Sequence, residues 1–266
     1  MSRILRTAAV LPLVPGDAGR HPRGVTIVNV VELRQYTLHP GKRDELIELF
    51  DRELVEPQES AGMAVLGQFR DEDDPDRFVW LRGFPSMAAR RESLTAFYLH
   101  GDAWKANRSA ANATMKDSSD VLLLRPSRPG PLVLPGAGRP PIGVITPPGS
   151  RVTITLCHLG AAVDEDFVRF FEEKVHPVLA ATGAPPIACL RTERAANTFP
   201  ALPVRTGENT FLWLTVFADA AHREEHRRRL AESPGWRAGI LPELHGRLSA
   251  PPRHLRLTPT ARSRLR

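Results

Sequence analysis

Two long segments of the chain show the same succession of hydrophobic periods. The first begins with VVELRQYTL (30–38), where apolar and polar residues alternate as in a strand. A helical period follows from about residue 42, with its apolar stripe at Leu46, Leu49, Phe50 and Leu54. Two more strand-like stretches, a second helix and a final strand complete the segment. This pattern predicts the order strand, helix, strand, strand, helix, strand.

The second segment repeats this order with a different sequence. It begins with RVTITLCHL (151–159), and a helix with an apolar stripe follows. The third strand and the start of the next helix read FVWLRGFPSMAARRE (78–92) in the first segment and FLWLTVFADAAHREE (211–225) in the second. Seven of these fifteen positions are identical, which favours two copies of one unit. Each copy has the split β-α-β order of ferredoxin-like domains.

A stretch rich in proline and glycine separates the two copies. Thirteen of the 24 residues from 126 to 149 are proline or glycine, which excludes a helix or a central strand. Fully extended, this stretch spans about 75 Å, so the copies can pack face to face. The second copy also contains an additional loop, 195–209. The predicted divisions are an N-terminal extension (1–24), a first domain (25–126), a linker (127–149), a second domain (150–259) and a basic C-terminal tail (260–266).

The composition is that of a soluble globular protein. Hydrophobic residues make up 42% of the chain and charged residues 25%. No apolar run approaches the roughly 18 residues that a membrane span requires, and Pro12 and Pro15 interrupt the short apolar stretch near the N-terminus. Cys157 and Cys189 are widely spaced and fall in strand-like segments. We therefore expect buried free thiols, a cytoplasmic protein and no membrane partner.

The basic residues are concentrated at the chain ends. The net charge is +6, but residues 1–24 contribute +3 and residues 251–266 contribute +5, which leaves the body at −2. A nucleic-acid-binding domain would carry its positive charge on a folded face. We therefore expect solvated tails and no nucleic-acid partner.

Three stretches of the first copy resemble the NIPSNAP family: ELRQYTLHPGKRDEL, FVWLRGFPSMAARRESLTAFY and DAWKANRSAANATMKDSSDVLLLRP. The resemblance implies an α+β fold of the dimeric α/β-barrel superfamily, in which two ferredoxin-like units enclose a cavity. In a chain with two copies, it implies a pseudo-dimeric barrel within one polypeptide, and it allows a further homodimer. The wider superfamily includes cofactor-free monooxygenases, isomerases and haem-binding enzymes, so the fold alone names no reaction.

Polar residues of the first copy share strand faces. Glu32, Arg34 and Tyr36 alternate along the first strand, and Trp80 and Arg82 alternate along the third. We expect both faces to line the barrel cavity, with Tyr36, Arg82, Glu32 and Arg34 as catalytic residues. The alternatives are a structural ion pair between Glu32 and Arg34, or a solvated sheet edge. In the second copy, Thr215 occupies the position of Arg82 and Trp213 that of Trp80.

Further residues are predicted to bind the substrate. Trp80 and Trp213 are expected to face each other across the cavity as aromatic walls. A four-residue spacing relates His100, Trp104, Arg108 and Asn112. We expect them to form a lid in which Trp104 and Asn112 contact the ligand. His158 shares the inward parity of its strand and is the candidate base, although a single histidine there is more often structural.

Together with these residues, the resemblance implies an enzyme without a cofactor that acts on a small aromatic or polyketide-like molecule by oxygenation, isomerisation or cyclisation. An anion formed by proton removal would be held by arginine. Two alternatives are a non-catalytic ligand-binding or scaffold protein and a haem-binding barrel with His158 or His100 as axial ligand. The sequence His222-Arg-Glu-Glu-His226 matches a zinc motif, but its basic surroundings favour an exposed helix face, and no metal is expected.

Overall fold

The computed structural model describes residues 27–134 and 138–266, and the predicted N-terminal extension lies outside these ranges. The fold is α+β, as predicted. We call residues 30–126 the first half and residues 151–259 the second half. The strands are β1 (Val30–Leu38), β2 (Ala64–Asp71), β3 (Arg77–Phe84), β4 (Met115–Pro126), β5 (Arg151–His158), β6 (Ala188–Thr192), β7 (Thr210–Phe217) and β8 (Arg253–Pro259).

Helices follow the first and third strands of each half. The α-helices are α1 (Arg43–Leu49), α2 (Val55–Ser60), α3 (Met87–Leu94), α4 (Asp102–Thr114), α5 (Glu165–Phe170), α6 (His176–Ala181), α7 (Ala220–Glu232) and α8 (Leu241–Arg247). π-Helical turns lie at Phe50–Leu54, Thr95–His100, Phe171–Val175 and Trp236–Ile240. Within the described ranges, no helix combines the length and the apolar character needed to cross a membrane.

Side-chain caps determine where three of the helices begin. Ser86, Asp164 and Asp219 each precede a helix and accept a hydrogen bond from the backbone N–H three residues later. Such a cap satisfies one of the free amides of the first helical turn. Ser86 and Asp219 occupy equivalent positions after β3 and β7, so α3 and α7 leave their strands in the same way.

The eight strands form one closed antiparallel barrel in the order β1-β3-β2-β8-β5-β7-β6-β4. Each half contributes four adjacent strands, and the halves join at two seams. At one seam β2 pairs with β8, with Phe69 opposite Pro259. At the other β4 pairs with β6, with Leu124 opposite Thr192. Closure therefore leaves no strand of this barrel with an unpaired edge.

A packed aliphatic core occupies the inside of the barrel. Strand residues of both halves contribute to it, among them Val31, Leu33, Leu81, Ile154 and Leu214. All of these residues are at most 1% exposed. The prediction of a shared polar cavity inside the barrel is therefore wrong. The aliphatic faces of the two sheets instead bury each other, which stabilises the chain by the hydrophobic effect.

The other face of each sheet lies beneath its own helices. In the first half, Tyr36, Phe78 and Trp80 pack with helix residues such as Phe50 and Leu94. In the second half, Trp213 packs with helix residues including Phe171. The predicted direction of this face is therefore wrong. The helices, not the inside of the barrel, cover the face that carries Glu32, Arg34, Tyr36, Trp80 and Arg82. Alternation shows which residues share a face, but it does not show which layer covers that face.

The C-terminal segment is not the solvated tail that its charge suggests. Residues 260–266 continue from β8 along the first half, where the Leu265 N–H donates to the Leu66 carbonyl at 3.1 Å. The Arg262 side chain is buried, donates to the Pro140 carbonyl at 3.0 Å and pairs with Glu56. Because β8 ends against the edge of β2, the chain that follows it has apolar surface on which to pack.

The two cysteines are free thiols. Cys157 is buried and Cys189 is partly buried. Burial raises the pKa of each thiol to about 12, and the nearby Glu172 carboxylate contributes to the shift of Cys189. Both thiols therefore stay protonated at neutral pH and are poor nucleophiles.

Candidate functional site

Strand pairing in the first half places the candidate residues side by side on the face beneath the helices. In the register of β1 and β3, Glu32 lies opposite Arg82 and Arg34 lies opposite Trp80. Cross-strand neighbours in such a sheet are close enough for direct side-chain contact. The site therefore lies between the sheet and helices of the first half.

Three arginines contact one carboxylate in this space. Glu32 Oε2 accepts from Arg34 Nη1 at 2.7 Å and from Arg82 Nε at 2.8 Å. Glu32 Oε1 accepts from Arg90 Nε at 2.6 Å. None of the four side chains is more than 1% exposed. We call Glu32, Arg34, Arg82 and Arg90 the cationic cluster.

Arg90 was not among the residues that the sequence singled out. It lies on α3, which follows β3 in the chain, so strand periodicity alone does not bring it to this face. Its signal in the sequence is that an arginine stands at the same position of the similar segments 78–92 and 211–225, as Arg90 and Arg223. The helix returns over the sheet and directs this arginine onto Glu32.

The cationic cluster carries two more positive charges than negative ones. Burial by itself raises the pKa of Glu32, but attraction from Arg82, Arg34 and Arg90 outweighs it and holds the pKa well below the usual range. Burial likewise tends to lower the pKa of Arg34, but Tyr36 and Glu32 raise it overall. Glu32 is therefore ionised, and a single carboxylate balances three guanidinium groups.

Two tyrosines accept hydrogen bonds from the cluster. The Tyr36 hydroxyl accepts from Arg34 Nε at 2.8 Å, and the Tyr98 hydroxyl accepts from Arg82 Nη1 at 3.1 Å. Burial raises the pKa of Tyr36, although attraction from Arg34 opposes this shift. Each hydroxyl uses its oxygen as acceptor in these bonds, so its own proton remains available to another acceptor. Tyr98 is a further residue that the sequence did not identify.

Aromatic rings surround the guanidinium groups. The Arg82 Cζ lies 5.1 Å from the Trp80 ring centroid, and the Arg34 Cζ lies 5.7 Å from it. Cations over aromatic faces are stabilised by the ring quadrupole, which offsets part of the excess charge. Two buried donors of this region, Trp80 Nε1 and Arg90 Nη2, have no hydrogen-bond partner among the described residues. Buried N–H groups normally have an acceptor, so the site is short of acceptor atoms.

A loop from the second half covers the cationic cluster. It is the additional loop between β6 and β7, 195–209, for which the sequence suggested no role. Arg90 Nη1 donates to Asn197 Oδ1 at 2.9 Å and to Thr198 Oγ1 at 3.2 Å. Phe199 is buried in the core of the first half, where its ring centroid lies 6.2 Å from that of Tyr98. The site is therefore built from both halves of the chain.

Asn197→Ala is expected to increase amide hydrogen exchange in the loop. Asn197 accepts from Arg90, accepts from the Phe199 N–H at 3.0 Å and donates to the Leu202 carbonyl at 2.9 Å. Loss of these bonds should speed exchange of the Phe199 amide by about tenfold or more, as measured by mass spectrometry. The matched control is Asn209→Ala, because the Asn209 side chain accepts from the exposed Arg194 side chain and makes no contact with the cationic cluster among the described residues. Equal exchange in the two variants would contradict the role given to Asn197.

Only part of the predicted lid lies over the site. Trp104 packs against Tyr98, with ring centroids 4.9 Å apart. Asn112, Arg108 and His100 are exposed, so they do not pack over the cationic cluster as Trp104 does, and the ligand contact of Asn112 stays a prediction. The buried face of α4 instead continues through Ala111 and Thr114. A strict four-residue spacing drifts around a helix that has 3.6 residues per turn, and the helix is also interrupted at Gly101.

Trp213 and His158 lie away from the cationic cluster. Trp213 packs beneath the helices of the second half, so the two tryptophans do not face each other across a shared cavity. His158 Nδ1 lies 3.2 Å from Thr210 Oγ1 and 3.7 Å from Glu208. Burial lowers the pKa of His158, while Glu208 tends to raise it. The structure gives His158 contacts typical of a satisfied histidine at the end of a strand.

The histidines of the zinc-like motif have structural contacts. His226 Nδ1 lies 2.9 Å from Thr182 Oγ1, and His222 Nε2 lies 3.1 Å from the Gly183 carbonyl. Both imidazoles thus hold the turn after α6 against α7. In the described ranges, no group of three or more histidine, cysteine, aspartate or glutamate side chains is arranged to bind a metal ion.

A barrel closed from two four-stranded sheets, each backed by helices, defines the dimeric α/β-barrel class of proteins. Within this class, residues 31–128 match the sequence profile of the NIPSNAP family. The first half of the chain is therefore similar to NIPSNAP domains. No curated protein sequence matches the chain.

Solved structures share the fold at low sequence identity. One is a candidate monooxygenase from Lactobacillus acidophilus NCFM, with 13% identity, a TM-score of 0.53 and coverage of 87% of this chain and 94% of that chain. Another candidate monooxygenase, from Fusobacterium nucleatum subsp. nucleatum ATCC 25586, has 11% identity, a TM-score of 0.55 and coverage of 88% of this chain and 93% of that chain. A NIPSNAP family protein from Agrobacterium tumefaciens strain C58 is 23% identical over 39% of this chain and 97% of its own, with a TM-score of 0.35. The first two likenesses extend over both halves and show the fold alone.

Proposed function

We propose that the cationic cluster binds an anionic oxygen of a small aromatic molecule. The observation that carries this proposal is the excess of two buried positive charges, beside two buried N–H donors without partners. Buried charges are costly unless they are paired. A phenolate, enolate or carboxylate would supply both the missing charge and the missing acceptors. The rings of Trp80 and Tyr98 suit a flat ligand.

This binding mode supports an enzyme that requires no cofactor. A site that favours an anion lowers the pKa of a bound phenol or enol and stabilises its conjugate base. Such an electron-rich carbanion can react with dioxygen, or it can be reprotonated at another carbon during isomerisation or cyclisation. Arg34, Arg82 and Arg90 would hold the anion, and the Tyr36 hydroxyl would donate to it. The two neighbours named as candidate monooxygenases agree with oxygenation as one of these reactions.

Ligand entry requires movement of residues 195–209. The cationic cluster is fully buried, and the contacts of Asn197 and Phe199 close it from the side of the second half. Segments that admit ligands are drawn from the less stable parts of a structure, and this loop contains no strand or helix. Opening of the loop would expose Arg90 first.

We also infer that the halves are two copies of one ferredoxin-like unit. The β2–β8 and β4–β6 seams are equivalent when the halves are exchanged. Each first helix also carries its π-helical turn at the same place, Phe50–Leu54 and Phe171–Val175. The copies differ in that threonines of the second copy stand where Glu32, Arg34 and Arg82 stand in the first, whereas Arg90 has a counterpart in Arg223.

The alternative is a non-catalytic protein in which the same cluster only binds a ligand or stabilises the fold. Its complete burial favours this alternative, since catalytic groups must be reached by a substrate. Haem has less support, because His100 is exposed and His158 is hydrogen-bonded to Thr210.

Arg90→Ala is expected to weaken the binding of 4-nitrophenolate by roughly 10- to 100-fold, the usual effect of losing a charge-assisted hydrogen bond. Absorbance titration near neutral pH measures both the affinity and the fraction of bound probe that is ionised. The variant should fold, because Arg34 and Arg82 still pair with Glu32. The matched control is Arg91→Ala, which removes an exposed arginine from the same helix.

Binding of the neutral phenol, or equal affinity in the Arg90 and Arg91 variants, would refute the proposed anion site. Dioxygen uptake with anthrone tests catalysis separately, because anthrone and dioxygen yield anthraquinone and water. Uptake by the wild type and by Arg91→Ala, but not by Arg90→Ala, is the result expected of an enzyme. Binding without uptake would favour the non-catalytic alternative.

A further inference from the structure

The second half contains a cavity of about 570 Å³ between its sheet and its helices. The strand side of its wall is formed by Thr153, Thr155, Trp213 and Thr215. Trp236 and Leu244 belong to its helix side. Cavities of about 300–1,000 Å³ hold most small-molecule ligands of proteins.

This cavity occupies the position that the cationic cluster occupies in the first half. Thr153 lies opposite Thr215 in the register of β5 and β7, as Glu32 lies opposite Arg82 in that of β1 and β3. Thr155 likewise lies opposite Trp213, as Arg34 lies opposite Trp80. Glu32, Arg34 and Arg82 of the first half thus correspond to threonines in the second. Replacing three long charged side chains by three short ones leaves open space at this position.

The charges around the cavity are already paired. Arg223 Nη2 lies 2.6 Å from Glu72, and Arg227 Nη2 lies 2.5 Å from Glu224. Arg256 pairs with Asp73. The rim therefore carries no excess of positive charge comparable to that of the cationic cluster.

The strand side of the cavity also carries hydroxyl and imidazole groups. Burial lowers the pKa of His254. Burial also lowers the pKa of His226, although a hydrogen bond to the Thr182 carbonyl has a smaller opposing effect. His254 Nδ1 lies 3.0 Å from Thr155 Oγ1. The Thr153 hydroxyl has no partner within the described part of the chain. These hydroxyl and imidazole groups can bond to a carbonyl or hydroxyl of a ligand but cannot neutralise an anion.

We propose that the second half is a separate binding site for an uncharged, largely apolar molecule that carries one or two oxygen atoms. The rings of Trp213, Phe217 and Trp236 contact its apolar part, and Thr153 and Thr155 bond to its oxygen. One chain then holds two sites at equivalent positions, one for an anion and one for a neutral molecule. This inference is independent of the proposed reaction in the first half.

The probe for this cavity is N-phenyl-1-naphthylamine, which is uncharged and fluoresces strongly in apolar surroundings. We expect the wild type to bind it, and Thr215→Trp to weaken binding at least tenfold by filling the cavity from the strand side. Ala220→Trp should act similarly from the rim, and because Ala220 is exposed, this variant retains its fold. The control is Leu99→Trp, which adds the same ring to an exposed position of the first half.

The Arg90→Ala variant separates this site from the first. It should bind the naphthylamine like the wild type but bind 4-nitrophenolate more weakly. Ala220→Trp should bind 4-nitrophenolate like the wild type but bind the naphthylamine more weakly. The proposal is overturned if the wild type does not bind the naphthylamine, if Ala220→Trp binds it as well as the wild type does, or if Arg90→Ala abolishes its binding. The last result would place the probe in the first half.

Discussion

Glu32→Gln is expected to lower the free energy of unfolding by about 3–5 kcal/mol, because it removes one partner of a buried ion network. Glu32 is the carboxylate that balances Arg34, Arg82 and Arg90, and all four side chains are buried. Glutamine keeps nearly the same shape but leaves three guanidinium groups without a counter-charge. Urea unfolding at neutral pH, followed by circular dichroism, measures the change.

The matched control is Glu48→Gln. Glu48 pairs with Arg52 at 2.7 Å on an exposed helix face, where water screens the interaction. We expect Glu48→Gln to change the free energy of unfolding little. If the two variants were equally stable, the cationic cluster would not depend on Glu32 for its charge balance.

The same carboxylate gives this effect a defined pH dependence. Because the folded-state pKa of Glu32 is depressed, its stabilisation is fully present above the pKa of the unfolded chain, about 4.3 for glutamate. Below that pH the unfolded chain takes up a proton that the folded protein does not, so the stabilisation declines. The difference between the wild type and Glu32→Gln should therefore shrink as the pH falls below about 4.

Removal of residues 260–266 is the second change with a large expected effect. This segment buries Leu265 against the first half and places Arg262 beside Glu56 and the Asp51 carbonyl. Its loss exposes apolar surface and leaves Glu56 without its buried partner. We expect the free energy of unfolding to fall by about 2–3 kcal/mol, mainly from the lost burial of Leu265, as measured by urea denaturation.

The Arg264→Ala variant is the control for this truncation. Arg264 lies in the same segment, but its side chain is partly exposed and lies 4.0 Å from Glu59. Its loss should have little effect. A truncated chain as stable as the wild type would show that the segment behaves in solution as the solvated tail that its charge suggests.

The sequence indicated the elements of the fold because their signals are local. Alternation in 30–38 and 151–159 corresponds to β1 and β5, and the stripe through Leu46 and Phe50 corresponds to α1 and the turn that follows it. Alternation also showed which side chains share one face of a strand, and Glu32, Arg34 and Tyr36 do lie on one face. These features depend on residues only a few positions apart.

Parts of the candidate site were not accessible to such reasoning. Arg90 and Tyr98 come from helical segments whose direction over the sheet depends on tertiary packing. Asn197 belongs to the other half, 107 positions beyond Arg90, and contacts it only because the halves share a barrel. A loop without periodicity gives no signal of what it covers.

The amino-acid sequence by itself determined that this chain consists of two βαββαβ units, and which of their residues share a face. The tertiary structure decided which face is inside, because that choice depends on what the partner sheet offers. Two aliphatic faces bury more apolar surface against each other than an aliphatic face buries against a charged one. The charged face therefore lies beneath the helices, where Glu32 and the arginines satisfy one another. The same packing made the equivalent face of the second half a neutral cavity, because threonines there are too short to fill it.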